Sequence, residues 1–123
     1  MKTILASTLA LGLFAGVALA APVKTATTAL GDVLTGENGM TLYTFKKDAA
    51  GVSNCNDECA KNWPPLAATA EDKADGAYSI ITRKDGSLQW AKDGMALYFW
   101  LKDAKPGDTT GQGVKDVWDV AKP

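Results

Sequence analysis

The chain has 123 residues, with 13 basic against 14 acidic side chains and no histidine. Such a balance offers no basic stripe to nucleic acid or to an anionic membrane surface. The missing imidazole removes the usual general base, the commonest metal ligand and the usual haem ligand together, and no enzyme is expected.

Residues 1–20, MKTILASTLALGLFAGVALA, join Lys2 to an apolar run and then to the small residues Ala18 and Ala20, the pattern of a cleaved signal peptide. The run is broken by Ser7, Thr8, Gly12 and Gly16 and is short for a membrane span. The expected product is residues 21–123, one β-rich domain without a membrane span, periplasmic or secreted.

The remainder repeats itself. At an offset of 55 residues, GDVLTGENGMTLYTFKKD (31–48) aligns without a gap on GSLQWAKDGMALYFWLKD (86–103), and seven of the eighteen positions are identical. The same offset sets Val33 on Leu88 and Trp63 on Trp118. Two copies, about 23–66 and 78–121, imply one pseudo-symmetric domain, because solenoids need three or more repeats.

In chain order the first copy reads as a strand VKTATTAL, a strand GDVLT, the turn GENG and a strand MTLYTF. The insert SNCNDECAKNWPPL then predicts one short helix starting at Ser53 or Asn54, with Asp57 and Glu58 in its first turn and Pro64 ending it. The second copy gives strands AYSIITR, SLQWA and MALYFW between Asp-Gly turns, and a final strand spans Val114 to Val120. Asn38-Gly39 and Asp93-Gly94 read as type I′ turns, which need positive φ at both central residues. The fold expected is mainly β: two pseudo-symmetric antiparallel three-stranded meanders in one domain, about six strands, with a helix in the C-x3-C insert.

A period of two places Tyr43 and Phe45 on one face with Leu42 and Thr44 on the other, and Tyr98 and Trp100 repeat this against Leu97 and Phe99. A strand apolar on both faces belongs between layers, so the two Leu-Tyr strands are expected to pair near the middle of the molecule around a pseudo-twofold axis. The matched positions Gly39, Leu42, Tyr43, Phe45 and Asp48, with Gly94, Leu97, Tyr98, Trp100 and Asp103, form the repeat motif.

Four further groups carry chemistry. Cys55 and Cys59, in an exported chain, read as a disulfide clamp, with a redox pair or a two-thiolate metal site as alternatives; on an ideal helix their Cβ atoms lie about 5–6 Å apart, so a bridge would distort the turn. Asp48 and Asp103 read as turn caps, the alternative being a hydrolytic carboxylate pair or calcium ligands. Met40 and Met95 read as core filler, the alternative being soft copper(I) ligands. Trp63, Trp90 and Trp118 could line an aromatic binding surface, although in so small a domain they are also the obvious source of core. No metal or cofactor is assigned.

The YxFxxD and YxWxxD of the two copies, the C-x3-C before AKNWPPL and the ending GDTTGQGVKDVW resemble the bacterial secreted-repeat family, predicted lipoproteins with a Yx(F/W/Y)xxD motif. The resemblance runs from about Gly31 to the end. It implies export and a two-copy organisation, and it supplies no catalytic residues. The anchor cysteine of the lipoprotein members is missing here, which favours a free periplasmic or secreted protein. The function expected is therefore that of an exported cell-envelope binding or structural module for an unknown envelope ligand or protein. The alternative is a periplasmic redox or copper-handling protein using Cys55 and Cys59.

Overall fold

The computed structural model describes residues 21–123, so the expected signal peptide lies outside the described residues. β1 (Val23–Thr28) and β2 (Gly31–Gly36) form one antiparallel hairpin. β5 (Tyr78–Thr82) and β6 (Leu88–Lys92) form its counterpart, and β6 continues into β7 (Met95–Ala96). Two-residue β4 (Ala67–Ala68) flanks β6 on its other side, and β3 (Tyr43–Phe45) pairs with β8 (Trp118–Val120). Among the described residues, mainly antiparallel β structure with one short helix is thus what forms, in eight strands rather than about six.

The extra elements have a physical origin. MTLYTF does not form one strand beside β2: it makes the isolated bridge Thr35–Thr41 and then leaves to pair with β8. The final strand is shorter than Val114 to Val120. Val114–Asp116 is a tight turn in which Lys115 (φ 52°) and Asp116 (φ 60°) are left-handed, and only Trp118–Val120 is extended.

The helix is also shorter than expected. α1 spans Glu58–Asn62, and Asp57 precedes it at φ 53°. Ser53 and Asn54 do not start it. The Asn54 amide N–H donates to Asp48 Oδ1 (2.6 Å), and Arg83 Nη2 donates to the Cys55 carbonyl (2.6 Å), so this stretch is bound to its surroundings instead of to the next turn. Pro64 follows the helix end as expected.

The two hairpins of the repeat motif differ by one residue. Asp93 (φ 51°) and Gly94 (φ 86°) make the expected two-residue turn, with Lys92 opposite Met95. In the first copy only Gly39 (φ 81°) is left-handed. The Gly39 N–H donates to Gly36 O (3.0 Å) and the Gly36 N–H to Met40 O (3.0 Å), a three-residue loop ending in a glycine bulge. Asn38-Gly39 is therefore not a type I′ turn. The slip makes Gln89, not Leu88, the counterpart of Val33, and Trp90 that of Leu34: the Leu42 N–H donates to Leu34 O (2.9 Å), and the Leu97 N–H to Trp90 O (3.0 Å).

The halves then exchange their last segments. The Ala121 N–H donates to Leu42 O (2.8 Å) and the Lys46 N–H to Val117 O (2.8 Å), tying the end of the second copy to the Leu-Tyr strand of the first. Reciprocally, the Leu66 N–H donates to Leu97 O (2.9 Å) and the Leu101 N–H to Asn62 O (2.9 Å). On the axis, Tyr43 and Tyr98 exchange both backbone hydrogen bonds, at 2.8 and 3.0 Å. The two faces of these strands feed two cores, one around Tyr43, Phe45, Trp63, Tyr98 and Trp118 and one around Leu34, Leu42, Leu66, Trp90 and Leu97.

Candidate functional site

Tyr43 and Tyr98 are fully buried, so each hydroxyl needs partners inside the protein. Each finds them across the axis. Tyr43 Oη donates to Asp103 Oδ2 (2.7 Å), and Tyr98 Oη donates to Asp48 Oδ2 (2.7 Å). The tyrosine of one motif thus meets the aspartate of the other, which no spacing within a motif announces.

Behind these pairs the two halves diverge. Tyr98 Oη shares a 2.6 Å hydrogen bond with Ser53 Oγ, which accepts from Arg83 Nη1 (3.0 Å). The same Nη1 donates to Gln89 Oε1 (2.7 Å). Arg83 is 5% exposed, and its charge is met by neutral oxygens at contact distance. On the other side, Tyr43 Oη accepts from the Gly111 N–H (3.1 Å), while Asp103 Oδ1 takes the Thr110 N–H (3.0 Å) and hydroxyl (2.7 Å). Sequence reasoning gave Arg83, Gln89, Thr110 and Gly111 no part in a site and read Ser53 only as a helix start. The available signal was the equal spacing from motif aspartate to tryptophan, Asp48 to Trp63 and Asp103 to Trp118.

Burial pushes both tyrosine hydroxyls well above their ordinary value of 10.0, and the facing carboxylates add to the effect. Asp48 is held above its ordinary 3.8 by burial, against the opposing Asn54 N–H, Tyr98 hydroxyl and Arg83 charge. Asp48 and Asp103 accept backbone N–H groups in the following loops, as turn caps do, and also lock the halves together.

Around the axis six rings stack in matched pairs. Trp63 and Trp118 lie face to face, with centroids 3.7 Å apart and planes 3° from parallel. Trp100 stacks on the outer face of Trp63 at 3.9 Å, and Phe45 on that of Trp118 at 4.3 Å. Tyr43 meets Trp63 edge-on, and Tyr98 meets Trp118 likewise. Trp63 and Trp118 are buried, as is Trp90, whose Nε1 has no hydrogen-bond partner. The expected aromatic surface of Trp63, Trp90 and Trp118 is therefore core: apolar rings in a chain this small are needed inside. Half-buried Trp100 is the ring of the stack that reaches outward.

Two adjoining hollows run beside this stack. One, of about 380 Å³, is lined by Phe45, Lys47, Glu58, Cys59, Val117 and Trp118; the other, of about 690 Å³, by Trp100, Lys102, Thr110 and Val114. Asn62, Trp63 and Lys115 line both, so the two hollows share a boundary and together make up the groove beside the stack. Lys102 Nζ sits 5.9 Å from the Trp100 ring centroid.

Cys55 and Cys59 are disulfide-bonded, with Cα atoms 5.1 Å apart. The feared distortion of a helical turn does not arise, because Cys55 lies ahead of α1. Cys55 is fully buried, and half-buried Cys59 lines the groove. Met40 and Met95 are half-buried, and neither lines it. Gly39 and Gly94 hold the left-handed positions of the two hairpins, and Leu42 and Leu97 are fully buried in the second core.

The fold and the groove define a class: an internally duplicated β domain whose halves are interlocked and which carries an aromatic, lysine-edged groove. A family of secreted repeats of unknown function matches the chain twice, over residues 24–67 and 79–122, and the chain belongs to that family. No curated protein and no solved structure matches it. Among the described residues, no helix is long and apolar enough to cross a membrane.

Proposed function

We propose that this chain is an exported, non-enzymatic binding module of the cell envelope whose ligand lies in the groove along the aromatic stack. What supports the reading is the groove itself, two adjoining hollows that combine aromatic side chains with Asn62, Thr110 and three lysines. Asp48 and Asp103, the residues a hydrolase would use, are engaged by the tyrosines and backbone that hold the halves together. A redox or copper-handling role draws no comparable support, since Cys55 is buried and neither methionine lines the groove.

Titration with the anionic aromatic probe 8-anilinonaphthalene-1-sulfonate tests the site. Saturable, blue-shifted emission is expected from the native protein, lost in Trp100→Ala while near-ultraviolet circular dichroism persists. Emission unchanged by Trp100→Ala, or no saturable binding, would overturn the reading.

A further inference from the structure

Resting on the groove as the binding site, we infer that its ligand is a linear carboxylated oligosaccharide, a uronate-type glycan. Charge carries the first part of the argument. The whole chain has a net charge of −1, yet Lys47, Lys102 and Lys115 line the two hollows against a single acid, Glu58. That acid lies 3.7 Å from Lys61 Nζ, so its charge is already met. A neutral ligand would leave the lysine ammoniums without use, whereas spaced carboxylates match them.

Shape and surface chemistry carry the second part. The hollows adjoin at Asn62, Trp63 and Lys115, so a ligand that fills both is longer than one hollow, which suits an extended ligand more than a compact one. Half-buried Trp100 lines the larger hollow with Lys102 Nζ 5.9 Å from its ring centroid, apolar surface for the C–H face of a pyranose beside an ammonium for its carboxylate. Asn62 and Thr110 supply hydrogen-bonding groups for ring hydroxyls. An extended acidic peptide would seek an open strand edge. β3 offers none at Tyr43, with β8 on one side and Tyr98 on the other.

Lys115 is placed by its backbone. It and Asp116 are consecutive left-handed residues that are not glycine, a conformation that carries strain, and Lys115 lines both hollows.

The test is calorimetric titration of the purified chain with galacturonate oligomers, with maltooligosaccharides of equal length and with poly-L-glutamate. Galacturonate binding is expected, falling with salt and weakened about tenfold or more by K102E/K115E, both exposed positions at which folding is not at stake. Maltooligosaccharides binding as well, and lost in Trp100→Ala, would overturn the carboxylate requirement while keeping the groove. Tighter binding of poly-L-glutamate would overturn the glycan in favour of an acidic peptide. Silence towards all three polymers, with the naphthalene probe still bound, would overturn this inference alone. Loss of the probe as well would remove the groove reading beneath it.

Discussion

The loops that follow the two motif aspartates have the same length, Asp48 to Trp63 and Asp103 to Trp118, and return their tryptophans to stacked positions 3.7 Å apart. They are held shut by different means. The first is closed by the Cys55–Cys59 bridge and braced from the other copy by Arg83, which reaches Ser53 and the Cys55 carbonyl. The second has no cysteine. Its Asp108 Oδ2 accepts the Ala104 and Lys105 N–H groups, and Gln112 donates to Asp119 and accepts from the Val120 N–H. Gly111 then tucks against the tyrosine. The fold asks of each loop only that it span one length and present a donor to a buried tyrosine; covalent and non-covalent closure both satisfy that demand.

The largest break in the comparison is expected at Gly111. A Cβ there would lie 2.8 Å from two ring atoms of Tyr43 and 2.9 Å from Trp63, all in the core. Gly111→Ala should cost about 3 kcal/mol in chemical denaturation. A loss under about 1 kcal/mol would mean that the second loop can shift without the core noticing.

Next comes the bridge. Cys55→Ser/Cys59→Ser should cost about 2 kcal/mol, the chain-entropy value for so short a loop. Dithiothreitol should lower the melting temperature of the parent and leave that of the variant unmoved. Amide exchange around Gly111 should be little altered, since the second loop owes nothing to the disulfide.

The exchange of partners across the axis has its own signature. In double-mutant cycles Tyr43→Phe should couple to Asp103→Asn by about 1–2 kcal/mol and to Asp48→Asn by less than about 0.5 kcal/mol, with Tyr98→Phe showing the reverse. Coupling within each motif instead would overturn the crossed arrangement.

The smallest effect is electrostatic. Burial raises the Asp48 carboxyl above 3.8, so the folded state holds this proton more tightly than the unfolded chain does. Its contribution to stability is complete below 3.8 and is lost as pH rises through the folded value. The cost of Asp48→Asn should accordingly be greater near pH 3 than at pH 7. Half-buried Asp108 in the other loop is lowered by the Ala104 N–H and Lys105, and it should titrate below 3.8. Carboxyl carbon shifts followed by NMR should separate the two, and an Asp48 midpoint at or below that of Asp108 would contradict the assignment.

Much of this protein was readable in one dimension. The 55-residue offset, the alternation of Tyr43 and Phe45 against Leu42, and the Asp93-Gly94 turn are local signals, governed by side-chain period and by which residues accept positive φ. They suffice for a duplicated β domain whose Leu-Tyr strands meet at its centre. The Asn38-Gly39 hairpin shows the limit: its sequence matches its partner in register, yet it takes one more residue into the loop, because a glycine bulge and a type I′ turn accept nearly the same residues. The helix start was missed for a related reason, since Ser53 and Asn54 are good caps whose hydrogen bonds are claimed by Tyr98, Arg83 and Asp48.

What the sequence by itself determined was the content of the halves: the strands and motif of each, and the cysteine pair of the first. The tertiary structure alone decided which half serves which, sending Tyr43 to Asp103, Tyr98 to Asp48 and each tryptophan-bearing segment to the other copy's strand. Period and turn preference act over a few neighbouring residues, whereas a buried hydroxyl is satisfied by whatever partner the packed core brings within about 3 Å, however far away along the chain.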